Sequence, residues 1–426
     1  MKGYSIRLLP SQLIRVIGGA LVRLVYRIQR VHPERIPERG GALLLPNHVT
    51  FADGFFLSVA CRRPVRFVMD DAFMARRSVR WFAKIFETVA IRRDQPREAI
   101  RLTIEALRNG ELICLFPEGQ LTRTGTLTEL RRGFELIAKK AGHPLIPIWC
   151  DGSWGSIFSF ERGRFFRKWP YEFPFRLTMA FGEEIHPAEG DRETVRQGLL
   201  VCAAAALEKR FERGGWGRRI PEGGGPGLAN FRNLGEAERR RLWMNGHQLG
   251  QVNALQRRTP FFVLRQDPVP VGVPAVCLTF PALFRAQVIG CERVDGDHAG
   301  SWVGGDVLRS MLGQTQIVGQ IVFYDFGSKA LEPIYRAGVE HCPCLAVAGL
   351  VIAMSMPHPP RPRDDSEPQL GHKLGTWGKL LPGWYLRPAE GGGFRAHGPA
   401  APQEGLALPP KCYLDAEGFL SEVRVP

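Results

Sequence analysis

The chain has 426 residues, of which 44% are hydrophobic and 23% are charged, and its formal net charge is +15. This length and composition are typical of a globular protein with room for two hydrophobic cores, and they exclude a disordered chain. The positive charge favours anionic partners such as lipid headgroups, phosphorylated substrates or nucleic acid. Because the sequence contains neither a zinc-knuckle spacing nor an aromatic ribonucleoprotein motif, we expect no nucleic acid among the partners.

The nine cysteines are mostly scattered singly, which predicts a reducing compartment rather than a disulfide framework. Their number is odd, and the N-terminal residues do not resemble a cleavable signal peptide. Cys342 and Cys344 stand too close together to supply half of an ordinary zinc site, so we interpret them as buried thiols. The sequence shows no other cluster of metal ligands, and we expect neither a metal ion nor a resident cofactor.

Residues 11–30 predict an amphipathic basic helix. Arg15, Arg23 and Arg27 share one face of the helical wheel, and leucine, isoleucine and valine side chains occupy the other. Since the arginines interrupt the apolar run, we do not expect this segment to span a membrane. We therefore interpret residues 1–40 as a helix that lies on a membrane surface and binds anionic lipid. The alternative is a helix that packs against its own domain.

Between residues 41 and 213 the sequence alternates short apolar runs with longer periodic segments, which predicts an α/β domain with a central sheet flanked by helices. The predicted strands are 42–45, 65–69, 112–116, 145–149 and 175–181. The predicted helices are 55–61, 96–109, 129–140 and 191–213, the second and third of which end at Gly110 and Gly142.

A polar segment, Asn47 to Asp53, follows the first predicted strand. It places His48 in the loop after the strand and Asp53 about one helical turn further on, at the start of a helix. Such a carboxylate can keep one imidazole nitrogen protonated and leave the other as a base for a hydroxyl group. Taken alone, the segment is equally typical of a surface histidine beside a helix-capping aspartate.

A second polar segment, Leu115 to Gly119, also follows a predicted strand. It brings the Glu118 carboxylate into a glycine-containing loop, and Arg123 comes shortly after it. An arginine in this place is suited to bidentate binding of a phosphate. Glu118 would then orient either that arginine or a substrate hydroxyl group.

Two further features accompany these segments. Arg92 and Arg93 close another apolar run, and Pro147 lies in the strand that follows the 129–140 helix. Taken singly, the two arginines are typical of solvated surface charges, and the proline is typical of a strand end.

Together these features resemble the four sequence blocks of the glycerolipid acyltransferase family, which includes the 1-acylglycerol-3-phosphate acyltransferases. The blocks are an NHxxxxD box (Asn47, His48, Asp53), an arginine block (Arg93, with Arg92 beside it), an FPEG box (Phe116, Pro117, Glu118, Gly119) and a proline block (Pro147). The arginine block departs from the family pattern, because Glu87 stands where the family often has glycine. The resemblance covers residues 41–213 and implies that family's fold, with a mixed, mostly parallel central sheet.

The resemblance implies that His48, oriented by Asp53, removes a proton from the free hydroxyl of a lysophospholipid, whose oxygen attacks the thioester of acyl-CoA or acyl-carrier protein. Glu118 is the third implied catalytic residue, and the implied substrate-binding residues are Asn47, Arg92, Arg93, Phe116, Pro117, Gly119, Arg123 and Pro147. Backbone N–H groups near Gly119 would stabilise the oxyanion.

The expected product is phosphatidic acid, made from 1-acyl-sn-glycerol 3-phosphate by a peripheral or monotopic enzyme on the cytoplasmic face of the inner membrane. One alternative is the reacylation of a lysophospholipid of the lysophosphatidylethanolamine type. An alternative of another class is a non-catalytic scaffold that binds lipid.

A glycine-rich stretch, 214–228, predicts a linker to a second, smaller domain, 229–426. Leu374–Gly383 and later segments resemble the large domain of acyl-adenylate-forming enzymes, which follows an acyltransferase domain in bifunctional 2-acylglycerophosphoethanolamine acyltransferase/acyl-carrier-protein synthetases. The lysine-containing phosphate loop of those enzymes is absent, and Pro410 stands where they bind the ATP ribose with aspartate. We therefore expect a degenerate α/β domain that adenylates nothing and instead packs on the acyltransferase, binds a carrier protein or adds membrane contact.

Overall fold

The computed structural model describes most of the N-terminal half of the chain and parts of the remainder. The described residues are 25–74, 80, 83–84, 86–92, 96–160, 174–212, 237, 240–241, 244–245, 248, 261–265, 288–292, 321–327, 339–348, 350–356, 358–361, 367–390 and 392–421. The chain divides into two compact units. The N-terminal unit contains Met1–Thr122, Glu129–Phe160 and Arg164–Arg210, and the C-terminal unit contains Arg123–Thr128, Glu161–Gly163 and Phe211–Pro426.

The N-terminal unit is built on a seven-stranded sheet. Its strands are β1 (Tyr26–Val31), β2 (Ala42–Pro46), β3 (Val65–Asp70), β4 (Val89–Ile91), β5 (Leu112–Cys114), β6 (Leu145–Asp151) and β7 (Phe175–Phe181). They lie in the order β1-β7-β6-β2-β5-β3-β4. Neighbouring strands are parallel except for β6 and β7, so the prediction of a mixed, mostly parallel sheet in an α/β domain is confirmed.

Helices connect the parallel strands, as crossover connections require. They are α1 (Asp53–Ala60), α2 (Asp71–Met74), α3 (Pro96–Arg108) and α4 (Gly133–Ala141). A fifth helix, α5 (Arg192–Glu212), follows β7, and a 3-10 turn forms at Pro33–Arg35. Pro96 suits the first position of α3 because proline has no N–H to leave unpaired there. Gly142 ends α4 with a φ of 69°, a left-handed conformation that glycine adopts without strain.

The central strands are buried along their whole length, as their apolar sequences predict. All five residues of β2 and all seven of β6 are buried, which is typical of parallel strands covered on both faces. Phe56 and Leu57 of α1 pack in one core cluster with Leu44, Cys114 and Ile146 from the strands. This packing anchors α1 to the sheet and leaves only a short loop between β2 and α1.

The predicted strands and helices between residues 42 and 213 are present, and their ends differ from the prediction by up to four residues. β5 ends at Cys114 rather than at residue 116, and α4 begins at Gly133 rather than at residue 129. The strand stops early because residues 116–119 form a turn, in which the Gly119 N–H donates to the Phe116 carbonyl at 3.1 Å.

The predicted helix 11–30 is wrong at its C-terminal end, because Tyr26–Val31 form strand β1 and pair in parallel with Phe175–Ala180 of β7. Tyr26 and Ile28 pack against the core cluster, and their spacing of two residues suits a strand. The part of the predicted helix before Val25 lies outside the described residues. Within the part of the chain that the structure describes, no helix is long and apolar enough to cross a membrane.

The described strands of the C-terminal unit form an eight-stranded sheet, in the order β17-β18-β13-β12-β11-β10-β8-β9, and a three-stranded sheet, in the order β14-β15-β16. They are β8 (Phe261–Arg265), β9 (Val288–Glu292), β10 (Ile321–Gly327), β11 (Val339–Val347), β12 (Leu350–Met354), β13 (Thr376–Leu380), β14 (Tyr385–Pro388), β15 (Phe394–His397), β16 (Leu406–Ala407), β17 (Tyr413–Leu414) and β18 (Phe419–Ser421). The predicted linker 214–228 lies outside the described residues. The relation of this unit to adenylate-forming enzymes stays a prediction.

A substitution at Gly182 can test how tightly α5 packs on β6. A Cβ atom at this position would lie 2.6 Å from Cγ of Pro147 and 2.7 Å from Sγ of Cys202, so we expect Gly182→Ala to lower the free energy of unfolding by about 1–3 kcal/mol through overpacking. Gly133→Ala is the matched control, because a Cβ there meets nothing within 4 Å. Chemical denaturation of both variants measures the difference, and equal stability of the two would contradict the packing.

Candidate active site

The loops that follow β2 and β5 meet at one edge of the sheet. These strands are parallel neighbours, in which Leu43 and Leu44 align with Ile113 and Cys114. Their carboxyl ends therefore lie side by side, and the NHxxxxD box and the FPEG box follow directly from them. In open α/β sheets, ligands bind at the carboxyl ends of the strands.

His48 and Asp53 are in contact within the first of these loops. Nδ1 of the His48 imidazole lies 3.3 Å from Oδ2 of Asp53. The aspartate side chain is only 2% exposed, whereas 21% of the histidine side chain is exposed to solvent. Because an ionised carboxylate can only accept, this contact favours the tautomer that carries its hydrogen on Nδ1. Nε2 is then the nitrogen that can act as a base.

Three hydrogen bonds besides the imidazole contact hold the Asp53 carboxylate. Its Oδ2 accepts the N–H groups of Val49 at 2.7 Å and Thr50 at 2.8 Å, and its Oδ1 accepts the Thr50 hydroxyl at 2.6 Å. The Ala52 N–H donates in turn to the Thr50 hydroxyl oxygen at 3.1 Å. A buried carboxylate needs such donors to replace its lost hydration. Asp53 therefore organises the whole turn between β2 and α1 and also orients His48.

Glu118 joins the second loop to the first. Its Oε1 accepts the backbone N–H of His48 at 2.8 Å, and the His48 carbonyl accepts the N–H of Thr122 at 2.8 Å. Glu118 is only 1% exposed, and a hydrogen bond to a carboxylate is stronger when water is excluded. The structure thus gives Glu118 the role of holding the main chain of His48. The sequence also suggested that Glu118 orients an arginine or a substrate hydroxyl group, and that role stays a prediction.

Phe116 restricts the imidazole ring from one side. The two rings stack with centroids 3.9 Å apart and planes 23° apart. The turn that follows depends on Gly119, which has a φ of 67° and donates its N–H to the Phe116 carbonyl. This N–H is therefore engaged within the turn and is not available to an oxyanion. Pro117 lies inside the same turn, and its carbonyl accepts the N–H of Arg131 at 2.7 Å.

Asn47 and Pro147 belong to the framework behind the site. The Asn47 side chain, 2% exposed, accepts the N–H of Cys150 at 2.7 Å and donates to the carbonyl of that residue at 3.4 Å, which fastens the end of β2 to β6. Pro147 is buried within β6 opposite Leu45, rather than at a strand end, and its carbonyl accepts the N–H of Gly182 at 2.8 Å. The resemblance implied that both residues bind substrate, and that role stays a prediction.

The three predicted arginines occupy different places. Arg92 is exposed directly after β4, at the same edge of the sheet as His48. Three strand spacings separate β4 from β2, a distance of about 14 Å. Arg93 lies outside the described residues. Arg123 belongs to the C-terminal unit, where its N–H donates to Oε1 of Gln369 at 2.8 Å and its guanidinium donates to the Pro360 carbonyl at 3.2 Å. A phosphate site formed by these arginines stays a prediction.

The described cysteines near the site are poor nucleophiles. Cys114 and Cys150 lie in the core, and burial raises the pKa of both thiols well above its usual value. Burial also raises the pKa of the Cys61 thiol to about 12. Since the thiolate is the reactive form, none of these three residues is a candidate for an acyl-enzyme intermediate. Among the residues that the structure describes, no group of three or more His, Cys, Asp or Glu side chains could hold a metal ion.

Residues 27–151, which contain both loops, match the protein-family model described as Acyltransferase. The matched residues lie wholly within the N-terminal half of the chain. The match begins within β1 and ends at the last residue of β6. It therefore covers all the strands that surround His48.

Several proteins of known name are similar to this half of the chain. The 1-acyl-sn-glycerol-3-phosphate acyltransferase of Pseudomonas aeruginosa is 26% identical over 185 residues, which are 42% of this chain and 64% of that protein. The Bacillus subtilis protein of the same name is 23% identical over 181 residues, 42% of this chain and 83% of its own length. This chain therefore spans less than two thirds of the length of the Pseudomonas aeruginosa protein.

The chain is also similar to a solved structure. The crystal structure of the 1-acyl-sn-glycerophosphate (LPA) acyltransferase from Thermotoga maritima is 18% identical in sequence, with a TM-score of 0.37. The similarity covers 49% of this chain and 84% of that one.

Sequence reasoning missed the residues that support the His48 loop from the side of β6. Thr50 forms an antiparallel bridge with Ser159. The Ser159 hydroxyl accepts the Gly155 N–H at 2.9 Å and donates to the Ser156 carbonyl at 2.9 Å. The only signal in the sequence is the small, serine-rich composition of residues 152–159, and ordinary surface loops share it.

The Glu118 contact can be tested with two substitutions. Glutamine keeps an oxygen that can accept the His48 N–H, so Glu118→Gln is expected to preserve the loop. Glu118→Ala removes the acceptor, and we expect it to cost about 1–3 kcal/mol of stability and to speed hydrogen exchange of the His48 amide. Exchange measured by mass spectrometry on a peptide that spans β2 and α1 reports this. Unchanged exchange in Glu118→Ala would show that the carboxylate does not hold the main chain.

Proposed function

We propose that the N-terminal unit transfers a fatty acyl group from an acyl thioester, either acyl-CoA or acyl-carrier protein, to the free hydroxyl of a lysophospholipid. The acceptor in this proposal is 1-acyl-sn-glycerol 3-phosphate, and the product is phosphatidic acid. The observation that carries the proposal is the contact of His48 with Asp53, at 3.3 Å, within the region that matches the Acyltransferase family. The names of the similar proteins from Pseudomonas aeruginosa and Bacillus subtilis support the choice of acceptor.

In the proposed reaction, Nε2 of His48 takes the proton of the acceptor hydroxyl while the hydroxyl oxygen attacks the thioester carbonyl carbon. The negative charge of Asp53 stabilises the imidazolium that forms. Collapse of the tetrahedral intermediate breaks the C–S bond, and the imidazolium returns its proton to the departing thiolate. The cycle needs no covalent enzyme intermediate, which agrees with the raised thiol pKa values of Cys114 and Cys150.

A lipid acceptor requires access to a membrane surface. We extend the proposal to peripheral or monotopic association with the cytoplasmic face of the inner membrane. The formal net charge of +15 supports attraction to anionic lipid, and so does the basic, apolar sequence of residues 11–24. In the same proposal, residues 229–426 are an accessory, non-adenylating part of the protein.

The two residues of the proposed base give the sharpest test. His48→Ala removes the base, and we expect it to lower kcat by about 10²–10⁴-fold. Asp53→Asn keeps an oxygen for the N–H groups of Val49 and Thr50 but removes the charge, so we expect a folded protein with a loss of similar size. The measurement is acyl transfer from labelled acyl-CoA and acyl-carrier protein to 1-acyl-sn-glycerol 3-phosphate, with lysophosphatidylethanolamine as a second acceptor.

Each alternative function predicts a different outcome of this assay. Full activity of His48→Ala would exclude the proposed mechanism. Binding of lysolipid by the natural sequence without turnover would indicate a lipid-binding scaffold. Preference for lysophosphatidylethanolamine would indicate a reacylating enzyme, and ATP–pyrophosphate exchange that depends on fatty acid would indicate a bifunctional one.

A direct transfer also predicts that the buried thiols are dispensable for turnover. Cys114→Ala and Cys150→Ala are each expected to lose about 1 kcal/mol of stability, because they leave small cavities in the core. Turnover per folded molecule is expected to stay unchanged in both variants. A large loss of kcat in a fully folded variant would instead point to a thioester intermediate on the protein.

A further inference from the structure

Arg131 lies over the turn that carries Glu118 and Gly119. Its Cγ and Nε are 3.4 Å and 3.9 Å from the point that a Cβ atom on Gly119 would occupy. Its backbone N–H donates to the carbonyl of Pro117 at 2.7 Å. Both the main chain and the side-chain stem of this arginine are therefore held against the turn. The residue is nevertheless exposed, so its charge lies in reach of a ligand from solvent.

The same turn holds His48. Glu118 accepts the His48 N–H at 2.8 Å, and the Phe116 ring stacks on the imidazole at 3.9 Å. Arg131 packs on the residue that directly follows Glu118. The cationic side chain of Arg131 thus lies against the turn that positions the proposed base. The place of Arg131 in the sequence, well beyond this turn, gives no hint that the two are close.

The chemistry of the proposed acceptor calls for a cation in this position. In 1-acyl-sn-glycerol 3-phosphate, the reacting hydroxyl and the phosphate stand on neighbouring carbon atoms. A hydroxyl bound at Nε2 of His48 therefore carries its phosphate close to the surrounding loops. A guanidinium suits a phosphate monoester because its planar fork of donors binds two oxygens at once.

The cations named from the sequence are placed less favourably. Arg92 follows the edge strand β4, three strands away from β2. The Arg123 guanidinium donates to the Pro360 carbonyl at 3.2 Å within the C-terminal unit. Arg131 differs from both because it is anchored to the FPEG turn itself.

We infer that Arg131 binds the phosphate monoester of the acceptor and so favours lysophospholipids with an unsubstituted phosphate. This inference rests on the proposed function and deepens it by assigning the headgroup contact. It makes Arg131 a substrate-binding residue that neither the sequence blocks nor their spacing indicated.

The test compares Arg131→Ala with Arg132→Ala in the full chain. Arg132 is the matched control, because it is an exposed arginine at the next position. Loss of a charged hydrogen bond is worth about 1.5–3 kcal/mol, so Arg131→Ala is expected to raise KM for 1-acyl-sn-glycerol 3-phosphate by about 10–100-fold with little change in kcat. The rise in KM is expected to be smaller for lysophosphatidylethanolamine, and Arg131→Lys is expected to recover part of the affinity. Arg132→Ala is expected to leave both constants unchanged.

Two kinetic results would overturn the inference. One is an unchanged KM in Arg131→Ala, or an equal rise in Arg132→Ala. The other is a fall in kcat for every acceptor at constant KM, which would indicate that Arg131 merely supports the Gly119 turn.

Calorimetric titration with sn-glycerol 3-phosphate tests the contact without turnover. Weaker binding by Arg131→Ala than by Arg132→Ala supports the inference, and equal binding overturns it. Absence of acyl transfer by the natural sequence would instead contradict the proposed function, so the two failures are distinguishable.

Discussion

The hydrogen bond from the His48 N–H to the Glu118 carboxylate is the contact on which the candidate site depends, because it joins the two loops that carry the motifs. Glu118 and Asp53 are 1% and 2% exposed. An ionised carboxylate at that depth is costly unless donors surround it. The backbone N–H groups of His48, Val49 and Thr50 are those donors. The need to give the Asp53 and Glu118 carboxylates hydrogen-bond donors therefore determines how both loops fold. The fold of the loops in turn determines the position of the imidazole.

The parallel sheet supplies the second constraint. β2 lies between β5 and β6, all three in the same direction, so the loops after them emerge at one edge. Asn47 fastens β2 to β6 through Cys150, and the bridge of Thr50 with Ser159 adds a second contact on that side. The histidine loop is thus held by Glu118 from one neighbouring strand and by these residues from the other. Such support keeps a proposed base in a single orientation, which general-base catalysis requires.

Motif residues divide into two groups once their contacts are known. Asp53 and Phe116 contact the His48 imidazole, and Glu118 accepts the backbone N–H of the same residue. Asn47 and Pro147 instead support the strands behind it. A sequence motif records which residues occur together, and it does not separate those that meet substrate from those that hold the backbone. Burial and hydrogen-bond partners show which of the motif residues hold the backbone.

The sequence by itself determined the α/β class, nearly all strands and helices between residues 42 and 213, and the pairing of His48 with Asp53. These features depend on local periodicity and on residues five positions apart, which a linear pattern can express. The helix predicted for residues 26–30 is wrong, because the conformation of these residues is decided by pairing with Phe175–Ala180, far along the chain. Only the tertiary structure decided that Glu118 holds the His48 main chain and that Arg131 lies over Gly119. The first contact joins the loops after two neighbouring strands, and the order of the strands in the sheet, which no local pattern specifies, brings them together. The second depends on how the connection between β5 and α4 folds back on itself, which a periodic pattern does not express either.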